Sequence, residues 1–159
     1  MRIGLIALAG AALAVSAVAA DDGLISVRSV YTVDQTLDRF ERAARDKGMT
    51  VFARIDHAAG AAQVDKELGP TELLIFGNPK AGTPLMQSRQ TVAIDLPMKA
   101  LAWADSAGQV WLTYNDPGYL VQRHAITDRD PVVEKMRRVL GELSAAATAS
   151  VPQAPANLH

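Results

Sequence analysis

Four consecutive large apolar residues, Leu73-Leu74-Ile75-Phe76, stop abruptly at Gly77-Asn78-Pro79. A segment apolar on both sides of the pleat needs cover on both sides, so the run reads as a central strand ended by a sharp turn. Periodicity alone leaves a buried helix open for so short a run. Thr83-Pro84 then offers an N-cap residue and a proline at the first helical position, which predicts a short helix carrying Leu85 and Met86 and fading near Gln90. The other segments are read as packing around this strand and turn.

Upstream, Leu24 to Tyr31 is β-branched and alternating, a strand. Thr32-Val33-Asp34-Gln35 has the T-x-x-Q form of a capping box and opens a helix over Val33 to Lys47, with Val33, Leu37, Phe40 and Ala44 on its buried stripe and Gly48 as its stop. Met49 to His57 is a second strand, with Val51, Ala53, Ile55 and His57 on one face and Phe52, Arg54 and Asp56 on the other. Ala58 to Leu68 is a helix halted by Gly69-Pro70.

Downstream, Met98 to Ala104 and Gln109 to Tyr114 flank Asp105-Ser106-Ala107-Gly108, a β-hairpin. Whether Trp103 and Trp111 share a face depends on a register that these residues do not disclose. Asp116-Pro117 and Asp130-Pro131 each cap a helix, the second reaching about Leu143 with Val132, Met136, Val139 and Leu143 on its inner face. The order is β-α-β-α-β-α-β-β-α-α: an α+β fold with a mixed sheet of about five strands packed against helices. Residues 21–143 are expected to form one domain, and the Ala/Ser/Pro-rich 144–159 a mobile tail.

The first twenty residues read as a secretory signal peptide: Arg2, an apolar run from Ile3 to Val15, and the small-residue site Ala17-Val18-Ala19. The expected location is the periplasm, with secretion as the alternative, and no later segment looks able to span a membrane once the signal is removed. The chain of 159 residues has no cysteine, which rules out thiol nucleophiles, thiolate metal sites and disulfides. A net charge of −1 and the lack of a basic block argue against nucleic acid as a partner.

Several short motifs together resemble one bacterial and archaeal family. They are Ala53-Arg54-Ile55-Asp56-His57, Phe76-Gly77-Asn78-Pro79-Lys80, Gly82-Thr83-Pro84-Leu85-Met86, Asp95-Leu96-Pro97-Met98-Lys99, Trp111-Leu112-Thr113-Tyr114-Asn115-Asp116 and Arg123-His124. In that order, over about Val30 to Ile126, the chain resembles the domain of unknown function 302 family. The resemblance implies a small α+β domain, often dimeric, and it brings no activity and no catalytic residues.

The residues themselves offer four constellations. Gly77 to Thr83 has the glycine spacing of a phosphate-binding loop, but Thr83 stands where its lysine belongs, and Pro79 and Pro84 lack amide hydrogens. A rigid turn shaping a pocket or a dimer surface is the better reading, with a weaker anion site helped by Lys80. His57 and His124 with Met86 form a ligand set suited to copper, haem or zinc if they meet; otherwise both are structural histidines. Asp56, Asp95 and Asp116 are possible acid/base carboxylates, although Asp116 is better explained as a helix cap. Trp103, Trp111 and Tyr114 can serve the core, a flat ligand or a dimer interface, the last through an open edge of the hairpin.

The expectation is an exported binding or accessory domain, a homodimer, leaning away from enzymatic activity. Its ligand or anion pocket is expected at the Gly77–Thr83 loop, formed by His57, Asn78, Lys80, Thr83, Met86 and His124. The alternatives are a metal or haem carrier using His57, His124 and Met86, or a small enzyme with a histidine general base. The cofactor stays open.

Overall fold

The computed structural model describes residues 17–19 and 23–150. The expected signal peptide falls outside them apart from 17–19, and the expected tail does so from residue 151 on. Six strands are numbered in chain order: β1 Ala17–Ala19, β2 Leu24–Ser29, β3 Thr50–Asp56, β4 Thr71–Gly77, β5 Met98–Ala104 and β6 Val110–Asn115. Five helices accompany them: α1 Val33–Asp46, α2 His57–Ala62, α3 Pro79–Ser88, α4 Pro117–Arg123 and α5 Asp130–Thr148. A 3-10 turn spans Gln90–Ile94. The fold is α+β. Its sheet runs β1-β2-β6-β5-β4-β3 with every neighbouring pair antiparallel, so it is not mixed.

Alternation sorts the strands into two faces. Leu74 and Phe76 of β4, Ala100 and Ala102 of β5, and Leu112 and Tyr114 of β6 point toward the helices, where they meet Leu37, Phe40 and Ala44 of α1 in one core. The rings of Phe40 and Phe76 pack edge-on, 4.9 Å between centroids. The α1 stripe is the expected one, and its capping box is complete: Gln35 N–H donates to the Thr32 hydroxyl and Thr32 N–H to the Gln35 side chain.

Other expectations need correcting. The hairpin strands β5 and β6 lie in the middle of the sheet, so neither offers an open edge to a second copy. Trp103 pairs directly with Trp111, which puts both rings on the face away from the main core. In β3 a bulge between Val51 and Ala53 breaks the alternation at Phe52. Val51 therefore faces the helices with Phe76, while Ala53 and Ile55 face the other way.

Helix α2 ends at Ala62, and Asp65 in the following turn has φ 55°. Helix α3 begins at Pro79 with Asn78 as its cap, one turn ahead of the expected Thr83-Pro84 start, and Pro84 lies inside it. Asn78-Pro79 is the same cap-and-proline device as Thr83-Pro84, and the earlier pair is the one used. Helix α5 has Arg129 in its N-cap position in place of Asp130, with no side-chain cap bond. It runs past Leu143 to Thr148 because Ser144-Ala145-Ala146-Ala147 is strongly helix-forming and its small side chains fit a close approach. Ala147 and Thr148 are buried, and Val30 N–H donates to the Thr148 carbonyl. Among the described residues no helix is long and apolar enough to cross a membrane.

Candidate functional site

The turn after β4 opens on one wall of a cleft of about 830 Å³. This volume lies within the ~300–1,000 Å³ range of small-molecule sites. Its floor is the end of the sheet, with Met49, Phe76 and Met98; α3 contributes Met86 and α5 contributes Met136. Four of the chain's five methionines thus line one cavity. Thioether side chains are flexible and polarizable, so such a lining adapts to a ligand's shape.

Three local devices build the cleft. The bulge in β3 takes Phe52 out of register and leaves it exposed on the cleft wall. Leu96-Pro97, joined by a cis peptide bond, lies against Gly77, where an added Cβ would stand in ordinary contact, 3.4 Å from the Pro97 Cβ. Helix α5 carries two apolar stripes. Val133, Leu140, Leu143 and Ala147 are buried in the core, while Val132, Met136 and Val139 line the cleft. Of the inner face read from the sequence, only Leu143 belongs fully to the core.

The polar part of the lining is small and one-sided. Among the described residues it includes Asn78, Thr83, Lys47, Lys80 and Lys135, and no acidic residue. Lys47 is paired with Glu142 at 2.6 Å. Lys80 and Lys135 are exposed and make no side-chain hydrogen bond or ion pair among the described residues. The first turn of α3 is already satisfied: Lys80 N–H donates to Asn78 Oδ1 at 2.9 Å, and Ala81 and Gly82 N–H to the Asn78 carbonyl. Those amides are therefore not free to cradle phosphate, and the residues expected to form a loop are a capped helix.

The six residues expected at the site divide. Asn78, Lys80, Thr83 and Met86 line the cleft; His57 and His124 do not. His57 opens α2 beside the Asp56–Glu72 pair, at the other end of β4 from Gly77, a separation of about 20 Å along the strand. His124 ends α4 and is held from both sides. Its Nε2 lies 2.6 Å from Asp95 Oδ2, and its Nδ1 lies 3.1 Å from the Thr91 hydroxyl. Arg123 takes the other Asp95 oxygen at 3.1 Å. The set His57, His124 and Met86 is therefore not assembled, and no group of three or more His, Cys, Asp or Glu suited to a metal occurs among the described residues.

The carboxylates are also occupied. Asp56 caps α2 through Ala59 N–H. Asp116 caps α4 through Gly118 N–H and pairs with Arg137 at 2.9 Å. Burial alone would raise the Asp116 carboxyl, but the Arg137 and Gly118 bonds outweigh it and hold the group below the usual range. What the sequence reading missed is Phe52, the Leu96-Pro97 wall and the second stripe of α5. The period of Val132, Met136 and Val139 was visible, but not which wall it faced.

The profile of the family described as "Domain of unknown function DUF302" matches residues 25–143. The chain belongs to that family. DUF302 thus covers all the described elements except β1, the first residue of β2 and the end of α5. A crystal structure of an uncharacterized conserved DUF302 protein from Bacillus stearothermophilus superposes with a TM-score of 0.72 at 15% identity, over 79% of this chain and 98% of that one. Such a likeness shows the shared DUF302 fold. Two curated relatives, fluoride-specific ion channel FluC 1 of Brucella suis and of Brucella abortus, are each 52% identical over 106 residues, or 67% of this chain. The match takes in 42% and 39% of those two proteins, so the chain spans about two-fifths of their length.

Proposed function

We propose that this DUF302 chain is a non-catalytic accessory domain that holds a small, largely apolar ligand in the cleft between α3 and α5. The observation that carries this reading is the second stripe of α5. Val132, Met136 and Val139 stay half-exposed on a helix whose other stripe is fully packed, and they face Met49, Met86 and Met98 across a cavity of small-molecule size. A neutral fluorescent apolar probe, N-phenylnaphthylamine, tests it. The probe should brighten on the wild-type protein and not on Met136→Asp, while the two proteins melt together. No brightening on the wild type would end the proposal.

The setting we infer is the neighbourhood of a membrane. Ion channels cross the bilayer, and the described residues contain no helix able to do so. The matching two-fifths of the Brucella channel proteins therefore read as a domain outside the bilayer, and this chain as a related domain. Export through the residues before Leu24 fits the same setting, and fractionation of cells expressing the full chain tests it.

We also propose that the domain pairs with a second copy through the sheet face opposite the helices. Leu73, Ile75, Leu101, Trp103 and Trp111 are half-exposed there. Both indole N–H groups are already used within the chain, on Thr113 and on Asp105, which leaves apolar ring surface for a partner.

A second reading has one observation in its favour. The order Thr91 hydroxyl, His124, Asp95 is that of a hydroxyl, a base and its orienting carboxylate, with the two ring nitrogens exchanged relative to the serine-protease arrangement. Turnover of an activated ester, lost in both Thr91→Val and His124→Gln, would favour it over a structural role.

A further inference from the structure

The cleft has a charge pattern that its apolar walls do not require. Among the described residues three lysines line it and no Asp or Glu does. Lys47 is answered by Glu142, but Lys80 on α3 and Lys135 on α5 have no acidic partner among the described residues. The two free ammonium groups thus stand on two different walls of a cavity whose other lining residues, apart from Asn78 and Thr83, are apolar side chains and glycines. Phe52 is exposed on its wall.

Resting on the reading of the cleft as a ligand site, we propose that its ligand is a single-chain amphiphile: one acyl chain with a carboxylate head, taken up as a free monomer. Each half of that molecule answers one observation. The acyl chain fills a methionine-lined space that adapts to a flexible occupant. The carboxylate meets Lys80 and Lys135 at the rim, where a charge keeps part of its water and pays little desolvation. A bare inorganic anion, fluoride included, would leave the apolar walls unused, and the amides at the start of α3 that could hold it are committed to Asn78. A metal cation would be repelled by the same lysines. The volume of about 830 Å³ suits one small molecule, which favours a free single-chain acid over a lipid still seated in a bilayer.

Calorimetric titration of the full chain with decanoate, undecanoate, dodecanoate, dodecanol and sodium fluoride tests this. Affinity should rise about fourfold per added methylene through the acid series. Dodecanoate should bind at least several-fold tighter than dodecanol at low salt, and the gap should narrow as salt is added. The double variant Lys80→Gln/Lys135→Gln should reduce dodecanoate to the level of dodecanol with the melting temperature unchanged. Equal binding of acid and alcohol to the wild type, a double variant with undiminished preference for the acid, or a response to fluoride alone would each overturn the assignment. So would binding to phosphatidylglycerol vesicles without binding of the monomeric acid. If N-phenylnaphthylamine binds and dodecanoate does not, the ligand class falls and the cleft reading stands. If neither binds, both fall.

Discussion

The Thr36 hydroxyl donates to the Thr32 carbonyl at 2.7 Å, so the Ser29 hydroxyl 2.7 Å away must donate to Thr36 in turn. Ser29 also receives Tyr31 N–H, and both side chains are buried. Thr36→Val should strand the Ser29 hydroxyl and cost about 1–3 kcal/mol in urea unfolding, with Thr36→Ser far milder. Asp116 gives a second test, in pH. Its folded value lies below its unfolded one, so folding favours the ionised form. The resulting stability is complete above the unfolded value and is lost as pH falls through the folded one. Melting curves taken downward from about pH 5 should show Asp116→Asn losing part of the wild-type slope. Gly118 belongs to the same arrangement: a Cβ there would meet Arg137 Nη2 at 1.9 Å, so Gly118→Ala should break the pair. Caps of this kind were legible beforehand because they are local in sequence. The partner of His124 was not, since Asp95 lies 29 residues away.

Helices α1 and α5 differ in how far their roles could be read from sequence. Helix α1 has one apolar stripe, and it goes into the single core that the sheet and α5 share, so periodicity was enough. Helix α5 has apolar residues on two adjoining faces, and a valine lining a cleft is chemically the same as one lining a core. Only its neighbours tell them apart. Substitutions should separate the stripes: Leu143→Ala should cost about 2–5 kcal/mol, and Val132→Ser should barely move stability yet weaken probe binding. Strand β3 held a similar surprise, because nothing local announces that one residue will be left without a partner. Arg54, which reaches Asp34, Asp38 and Glu72 from that strand, does explain why its helix-side face tolerates a charge. Two of those acids are largely exposed, so Arg54→Met should cost only about 1 kcal/mol, less at high salt.

At the scale of the whole molecule, the antiparallel sheet is covered by α1 and α5 on one side and presents a half-exposed apolar face on the other. The α+β class followed from the order of segments, but the strand order did not. The hairpin looked peripheral in sequence and proves central, because β2 and β4 claim its two edges. The proposed pairing of two copies is therefore a face-to-face contact. Trp111→Glu should halve the mass seen in sedimentation if it is correct, and Phe52→Ser should not. The directly opposed Trp103 and Trp111 also make the protein its own optical gauge. They are the only two indoles in the chain, with Cβ atoms about 4.5–5.5 Å apart. At that range their electronic transitions couple, so unlabelled protein should give a paired positive and negative band in far-ultraviolet circular dichroism. That couplet reports on the register of the two central strands alone and should vanish in Trp103→Phe without loss of the fold.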